Sequence, residues 1–412
     1  MKVLQVNCVF QRGSTGKIIH DIHTSLQAKG HQSVVCYGRG DMPKRVNDIY
    51  KFCTEIEAKI QALLSRIGFL QYGGNYFATQ RLIHIIKREQ PDVVHLHCIN
   101  GFCVNIYSLL HYLGKNKIKT IVTHHSEFFY TGSCGYAYDC MQWTSEKGCH
   151  KCPIRRDATY SIFIDRTHTA WQKMASAFKN FDQKNIVFAA VSPWVRQRSL
   201  LSPLVSNYTC EVAENGVETN IFRPATDIDQ NNLKRRIPNL QDNIALHVTA
   251  SFAPTTDNIK GGKYIVELAH RMTDTTFIVV ATHIGDIDQL PPNVYLWGRA
   301  ASQQELATLY SLAKVTVLVS KRETFSMICA ESLCCGTPVV GFKAGGPETI
   351  SIPEYSEFVA YGDMDLLKNA TIKMLHHTSN PDHIAQQAHQ RYAKETMTDR
   401  YIQIYQQLLG RS

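Results

Sequence analysis

Short β-branched runs alternate with helical patterns along almost the whole chain, and that alternation limits the folds open to it. Residues 2–10 read as a strand. Residues 16–28 read as an amphipathic helix, with Ile18, Ile19, Ile22 and Leu26 on one stripe, and 33–37 as the next strand. The rhythm continues with a helix over 78–88, a strand over 93–97, a helix over 107–113, and strands over 120–123 and 187–191. Between Asn220 and Asn243 it weakens into a polar, charged stretch holding Pro224 and Pro238, which reads as a linker. It resumes with strands over 244–249, 277–281, 294–297, 315–319 and 338–342, interleaved with helices over 262–271, 303–312 and 325–335. A last helical stretch over 382–409 closes the chain. Such strand–helix alternation predicts parallel sheets covered by helices on both faces. A chain of 412 residues is long enough for two doubly wound α/β domains, which bind ligands beyond the carboxyl ends of their strands.

Composition removes several classes of function. Hydrophobic residues make up 44% and charged residues 19%, a balance that fits a folded globular chain and not a disordered one. No apolar run approaches the roughly 18 residues of a membrane-spanning helix. The opening MKVLQVNCVFQRG reads as a buried first strand rather than a secretion signal, so a reducing cytoplasm is the expected location. Thirteen cysteines, an odd number, then suit reduced thiols or metal ligands better than a disulfide framework. The net charge of +9 favours anionic partners or a mildly basic surface. Basic residues are spread along the chain with no aromatic–basic RNA motif, which argues against nucleic acid. A zinc-containing nucleic-acid-binding protein remains the alternative to an enzyme. No GxGxxG follows any strand, which disfavours a dinucleotide oxidoreductase.

The most informative run is SKRETFSMICAESLCCGTPVV, residues 320–340. A strand ends, a polar loop carries Glu323, and a helix begins near Phe325, Ser326 and Met327, with Glu331 inside it. Unsatisfied N–H groups at a helix start suit a diphosphate. Glu331 then lies about 7.5 Å further along, at about 1.5 Å per residue, where a ribose diol would sit. Glu323 lies on the other side, near whatever the diphosphate carries. Sugar, diphosphate and ribose in a row describe a nucleotide sugar.

With Gly336-Thr337-Pro338 and the GGPE run at 345–348, this region resembles the E-x7-E segment of family 4 retaining glycosyltransferases, which have the GT-B fold. NGVETNIFRP, 215–224, resembles that family's crossover into the second domain. Lys260-Gly261 stands where the family carries a lysine that neutralises the donor diphosphate, without the arginine often found about five residues earlier. LWGRA, 296–300, resembles the loop whose backbone, at Gly298, reads the base. After the first strand, QRGSTGK is not a Walker A loop, because only two residues separate Gly13 and Gly16 and Ile18 replaces the Ser/Thr. In the resembled family this glycine loop faces the donor diphosphate. Thr123-His124-His125-Ser126, followed by T-G-x-C and C-x2-C-P, resembles a branch of the family that builds surface polysaccharides, with Ser126 at an aspartate position and Glu127 next to it.

The resemblance implies a GT-B architecture of two Rossmann-like domains facing across a cleft, over 1–219 and 220–385, with a helix over 386–412 returning to the first domain. It implies transfer of a hexose-type sugar from a UDP or GDP donor with retention, by front-face substitution in which the leaving phosphate deprotonates the acceptor. Glu323 would orient the sugar, Glu331 the ribose and Lys260 the diphosphate, while His125 would hold a sugar hydroxyl or stabilise developing positive charge. No metal or other cofactor would take part in catalysis. The implied acceptor is a lipid-linked saccharide of O-antigen, capsule or exopolysaccharide synthesis. Other GT-B chemistries, a phosphorylase or a nucleotide-sugar epimerase, are the near alternatives. Cys134, Cys140, Cys149 and Cys152, spaced C-x5-C-x8-C-x2-C, suit a structural zinc that would hold together a loop without a core of its own, with reduced thiols or labile disulfides as the alternatives. The stretch 58–88 sets Ile60, Leu63, Leu64, Ile67, Phe69 and Leu70 beside Lys59, Arg66 and Arg81, which reads either as a surface for the cytoplasmic membrane face or as helices packed on the sheet.

Overall fold

The computed structural model describes residues 1–41, 48–158, 161–255, 258–287 and 289–410. The remaining positions, including the last two of the C-terminal segment expected over 386–412, lie outside the described residues. The chain forms two compact units, Met1–Glu214 with Met397–Ser412, and Asn215–Thr396. The sequence expectation divides it after 219 and after 385; the structure divides it after Glu214 and after Thr396.

The first unit is built on seven parallel strands: β1 (Lys2–Val9), β2 (Gln32–Arg39), β3 (Ile49–Lys51), β4 (Val93–Leu96), β5 (Thr120–His124), β6 (Ile186–Ala190) and β7 (Cys210–Val212). They lie side by side in the order β3-β2-β1-β4-β5-β6-β7. In the β1–β4 pair Val3 stands opposite Val93 and Val6 opposite Leu96. The central strands are buried along their length, as a parallel sheet covered on both faces requires. The helix Gly13–Ala28 buries Ile18, Ile19, Ile22 and Leu26, the stripe read from the sequence. Ile18, Ile22 and Leu26 share a core with Val3, Val93 and Ile121. Met397, Tyr401, Ile404 and Leu408 from the end of the chain close the same core.

The second unit has six parallel strands: β8 (Asn243–Phe252), β9 (Thr275–Ile284), β10 (Val294–Gly298), β11 (Val315–Leu318), β12 (Val339–Phe342) and β13 (Ser356–Val359). Their order is β10-β9-β8-β11-β12-β13. Both units are therefore Rossmann-like, with the strand order reversing beside the first strand of each sheet.

Two sequence expectations change. The polar stretch from Asn220 to Asn243 is not a bare linker. It holds the helix Asp227–Lys234, whose Thr226 cap accepts from the Asp229 N–H, and it buries Leu233 and Ile237. The closing helix is two helices, Pro381–Tyr392 and Lys394–Leu409. At the break, Val217 N–H donates to Tyr392 O at 2.7 Å and Lys394 N–H donates to Val217 O at 3.1 Å, so the crossover run 215–217 takes over the backbone bonds a continuous helix would make. Gly216 is packed so tightly there that a Cβ would stand 2.5 Å from Lys394 Cα. Gly216→Ala should cost about 1–3 kcal/mol by overpacking, read as a lower urea midpoint; an unchanged midpoint would show that the crossover can shift aside.

Candidate active site

In the second unit the strand order reverses between β8 and β11, and the loops that leave these two strands carry the candidate residues. After β8, the Asn258 side-chain oxygen accepts from the Lys260 N–H at 2.8 Å and the Gly261 N–H at 3.2 Å, which sets the turn that presents Lys260. Gly261 has φ +70° and a Cβ there would stand 2.3 Å from Val319 O, so only glycine allows β8 and β11 loops to approach this closely. Lys321 N–H donates to Ile259 O at 2.8 Å and locks the loops together. The result is a Lys260 Nζ–Glu323 Oε1 ion pair of 2.7 Å, with side chains 28% and 19% exposed.

Glu323 is fixed from its other side by the GGPE run. Its N–H donates to Ala344 O at 3.0 Å, and Gly346 N–H donates back to Glu323 O at 2.8 Å. The Glu348 carboxylate accepts from the backbone of Ala344 and Gly345, closing that loop. A Cβ on Gly346 would meet Thr324 O at 2.4 Å, so the loop lies directly on the backbone that leads into the next helix. Phe325 is buried beneath it. Ser326 caps the helix Met327–Cys334 by accepting from Cys329 N–H at 3.3 Å, and holds φ +85°, an unusual backbone conformation for serine. Glu331, one and a half turns in, accepts from the Tyr310 hydroxyl at 3.2 Å. Burial, reinforced by the Glu331 charge, keeps that hydroxyl protonated by pushing its pKa upward. Gly298 ends β10 with φ +78° and no atom within 4 Å of where a Cβ would stand, so its backbone is open to approach.

In the first unit the reversal lies between β1 and β4. The helix after β1 starts at Gly13, three residues earlier than the sequence suggests, and Gly13 takes φ +63°, a turn conformation that favours glycine. Its cap, Arg12, makes no side-chain capping bond and the first turn holds no acidic residue. A Cβ on Gly16 would stand 3.3 Å from the Gln11 nitrogen, which keeps the loop tight. Asn7 joins this end of β1 to the loop after β4 by accepting from Cys98 N–H at 3.0 Å.

Beside it stands a column of histidines. His95 lies between the Tyr405 hydroxyl at 2.8 Å and the Thr123 hydroxyl at 2.7 Å. Its ring centroid is 3.8 Å from that of His97, and His97 Nδ1 lies 3.1 Å from His125 Nε2. Burial drives all three pKa values down, that of His125 to about 4, so the column is uncharged at neutral pH. His125 is thus a hydrogen-bonding group rather than a cation or an acid catalyst near pH 7.

A family model described as Glycosyltransferase Family 4 matches residues 15–221, just over half of the chain. The chain belongs to glycosyltransferase family 4. A second model, Glycosyl transferases group 1, matches 288–391, the region of the Glu323–Glu331 helix. A curated relative, the N-acetyl-alpha-D-glucosaminyl L-malate synthase of Bacillus anthracis, is 20% identical and the match covers 98% of this chain and 96% of that one. Among solved structures, Anabaena HepE in complex with UDP has a TM-score of 0.67 at 13% identity, covering 98% of this chain and all of that one. Sucrose-phosphate synthase from Thermosynechococcus elongatus has a TM-score of 0.66 at 16% identity over the whole of both chains. The protein is therefore a glycosyltransferase, an enzyme with the GT-B fold.

Within this family member, Lys260, Glu323, Phe325, Ser326, Met327 and Glu331 fall on one continuous structure in the second unit, with Gly298 on the edge strand of the same sheet. Gly13, Gly16 and His125 fall at neighbouring strand ends of the first unit. His97 and Tyr310 carry no motif in the sequence, although the H-x-H pattern at 95–97 sets one imidazole on β4 and the next just past its end, on the same side of the extended chain. Glu127, beside the aspartate-position Ser126, has a structural task. Its fully buried carboxylate pairs with Arg198 and accepts from the Tyr130 hydroxyl at 3.0 Å and the Ala137 N–H at 2.5 Å.

The cysteine loop also differs from expectation. It has a core of its own in Trp143 and Ala137, both fully buried, with the Tyr130 ring packed at a tilt against Trp143, centroids 5.3 Å apart. Cys134 lies within hydrogen-bond reach of Cys152 and close to Cys140 and Cys149, and Cys149 lies close to Cys140 and Cys152. Yet among the described residues no group of three or more His, Cys, Asp or Glu side chains is arranged to hold a metal ion. The four thiols are neighbours, and their chemistry suits zinc, but their side chains do not converge on one point in this structure.

His124 supplies a test of how burial governs this region. Its ring stacks on Phe188 at 5.1 Å, both nitrogens are buried without a partner, and burial lowers its pKa to about 3. The unfolded chain takes up a proton below about pH 6.5 that the folded chain refuses until about pH 3, so this histidine makes stability fall as the pH drops through that window. His124→Phe should stabilise the protein by about 1–3 kcal/mol and flatten the acid limb of its pH–stability curve. A destabilised variant would show that a nitrogen is satisfied after all.

Proposed function

We propose that the enzyme transfers a hexose-type sugar, with retention, from a UDP- or GDP-sugar to a lipid-linked saccharide at the cytoplasmic face of a membrane, in the synthesis of a bacterial surface polysaccharide. The observation that carries the donor half is the Lys260–Glu323 ion pair beside the Ser326-capped helix, with Glu331 about 7.5 Å further along it. Lys260 supplies a positive charge for a leaving diphosphate, which takes the place of Glu323 as its partner. Glu323 accepts from sugar hydroxyls. Glu331, steadied by Tyr310, accepts from the ribose diol. The helix start adds its N–H dipoles to the diphosphate. That HepE is seen with UDP supports a nucleotide of this kind. The open backbone at Gly298 suits recognition of a base.

His125, uncharged at working pH, holds a sugar hydroxyl through hydrogen bonding, and His97 sets which of its nitrogens carries the proton. The Gly13–Gly16 helix start favours an anionic group. No residue here is asked to act as general base, because the leaving phosphate takes the acceptor proton. The cysteine loop enters as scaffold. A zinc ion would require its thiols to regroup, and about one zinc per tag-free chain by elemental analysis is the finding that would restore it.

A second reading, transfer to a small polar acceptor, is favoured by the full-length similarity to a relative whose name specifies L-malate. Turnover assays with a polyprenyl-diphosphate-linked sugar and with L-malate separate the two.

Glu323→Ala and Lys260→Ala should each lower turnover by about 100-fold or more with the fold intact by circular dichroism. Glu331→Ala should chiefly weaken donor binding, by about tenfold, for the loss of hydrogen bonds to a charged group. Calorimetric titration with UDP, GDP and ADP reads the donor base directly. Wild-type rates in the Glu323 and Lys260 variants would refute this placement of the donor.

A further inference from the structure

The helix Glu55–Ile67 is oriented the wrong way round for a helix packed on a sheet. Its buried residues are Ala58, Gln61 and Ser65, small or polar. Four of its apolar residues, Ile56, Ile60, Leu63 and Ile67, are 46–70% exposed, and Leu64 is half-buried. At about 100° per residue the four form one narrow stripe, about 160° round from the centre of the buried face. The orientation is held by polar contacts: a Thr54–Glu57 capping box at the start, a left-handed Gly68 at the end, and Gln61 Nε2 donating to Leu70 O at 3.1 Å from the inner face.

The apolar surface continues past the helix. Phe69 is exposed, and so are Ile162, Phe163 and Ile164 of a loop that comes from far along the chain. That loop lies against the helix end: Ile162 N–H donates to Arg66 O at 2.9 Å, and a Cβ on Gly68 would stand 2.8 Å from Ile164. Two separate segments thus bring exposed aliphatic and aromatic side chains to one place, which scattered surface residues do not do.

Charge says what covers it. Lys59 and Arg66 lie about 70–90° to one side of the stripe's centre and, among the described residues, form no ion pair. The helix's own acids are neutralised elsewhere, Glu55 by Arg39 and Lys51, and Glu57 by Arg81. The face is therefore apolar with a positive rim. A two-fold contact with a second copy would set that rim against itself, whereas an anionic lipid surface complements both features.

We propose that the first unit docks on an anionic bilayer surface through the outward face of Glu55–Ile67 together with the 162–164 loop. This rests on the lipid-linked-acceptor reading above and gives it a place on the molecule.

The test is co-sedimentation of the full chain with phosphatidylglycerol-rich vesicles and with pure phosphatidylcholine vesicles, alongside sedimentation velocity without lipid. The intact protein should bind the anionic vesicles. The double variant Ile60→Glu with Leu63→Glu, and separately Phe163→Gln in the loop, should each weaken binding by about tenfold or more, and Lys59→Glu with Arg66→Glu should remove the preference for anionic lipid. Nucleotide titration of each variant confirms the fold and reads the donor site independently. Vesicle binding unchanged in both apolar variants overturns the proposal. So does a dimer that Ile60→Glu with Leu63→Glu turns into a monomer while no vesicles are bound. Vesicle binding without any nucleotide binding would sink the donor reading and leave this surface standing.

Discussion

In both sheets the strand order reverses beside the first strand, β1 in one unit and β8 in the other. Helices that follow strands on either side of such a point leave toward opposite faces, so the loops part and a crevice opens beyond the strand ends. Most of the candidate residues are placed by that geometry. Gly13 and Gly16 leave β1, His97 follows β4 and His125 follows β5. Lys260 leaves β8 and Glu323 follows β11. The crevice becomes a site only through close backbone approaches, and these are what Gly261 and Gly346 permit: at each, a Cβ would stand within 2.4 Å of a carbonyl oxygen.

Burial then sorts the charged groups into those that hold the structure and those able to act. Glu127 is fully buried, and Arg198, Tyr130 and the Ala137 backbone all engage its carboxylate. Removing one partner would strand a charge in a dry interior, so such a group is fixed. The histidine column solves the same problem by staying neutral. Lys260 and Glu323 differ: each keeps about a fifth to a quarter of its side chain in solvent, so water can replace one partner while a ligand replaces the other. An exchangeable ion pair is what a donor site needs, since a charge locked into the fold has nothing left to offer a substrate.

The outward apolar helix shows the reverse arrangement. Three of its inner contacts come from Ala58, Gln61 and Ser65, side chains that contribute little apolar burial, while its three isoleucines and Leu63 stay in water. Polar capping and an inner glutamine fix which way it faces, and that orientation is what turns an ordinary amphipathic pattern into a surface.

Local patterns along the chain were enough to reveal the repeated strand–helix units, the buried stripe of the first helix and the glutamate pair around a helix start. Periodicity and spacing are properties of a single segment, and they survive without knowledge of its neighbours. The same local view took the capped helix Asp227–Lys234 for a linker and two final helices for one, because Leu233's burial and the Val217–Lys394 bond both depend on distant residues. It could not say which face of Glu55–Ile67 meets solvent, that Glu127 is spent on Arg198, or that the cysteine loop carries a tryptophan core. Those outcomes rest on contacts between residues far apart in the chain. Whether a side chain becomes core, clamp or ligand-binding group is set by its partners, and only the tertiary structure chooses them.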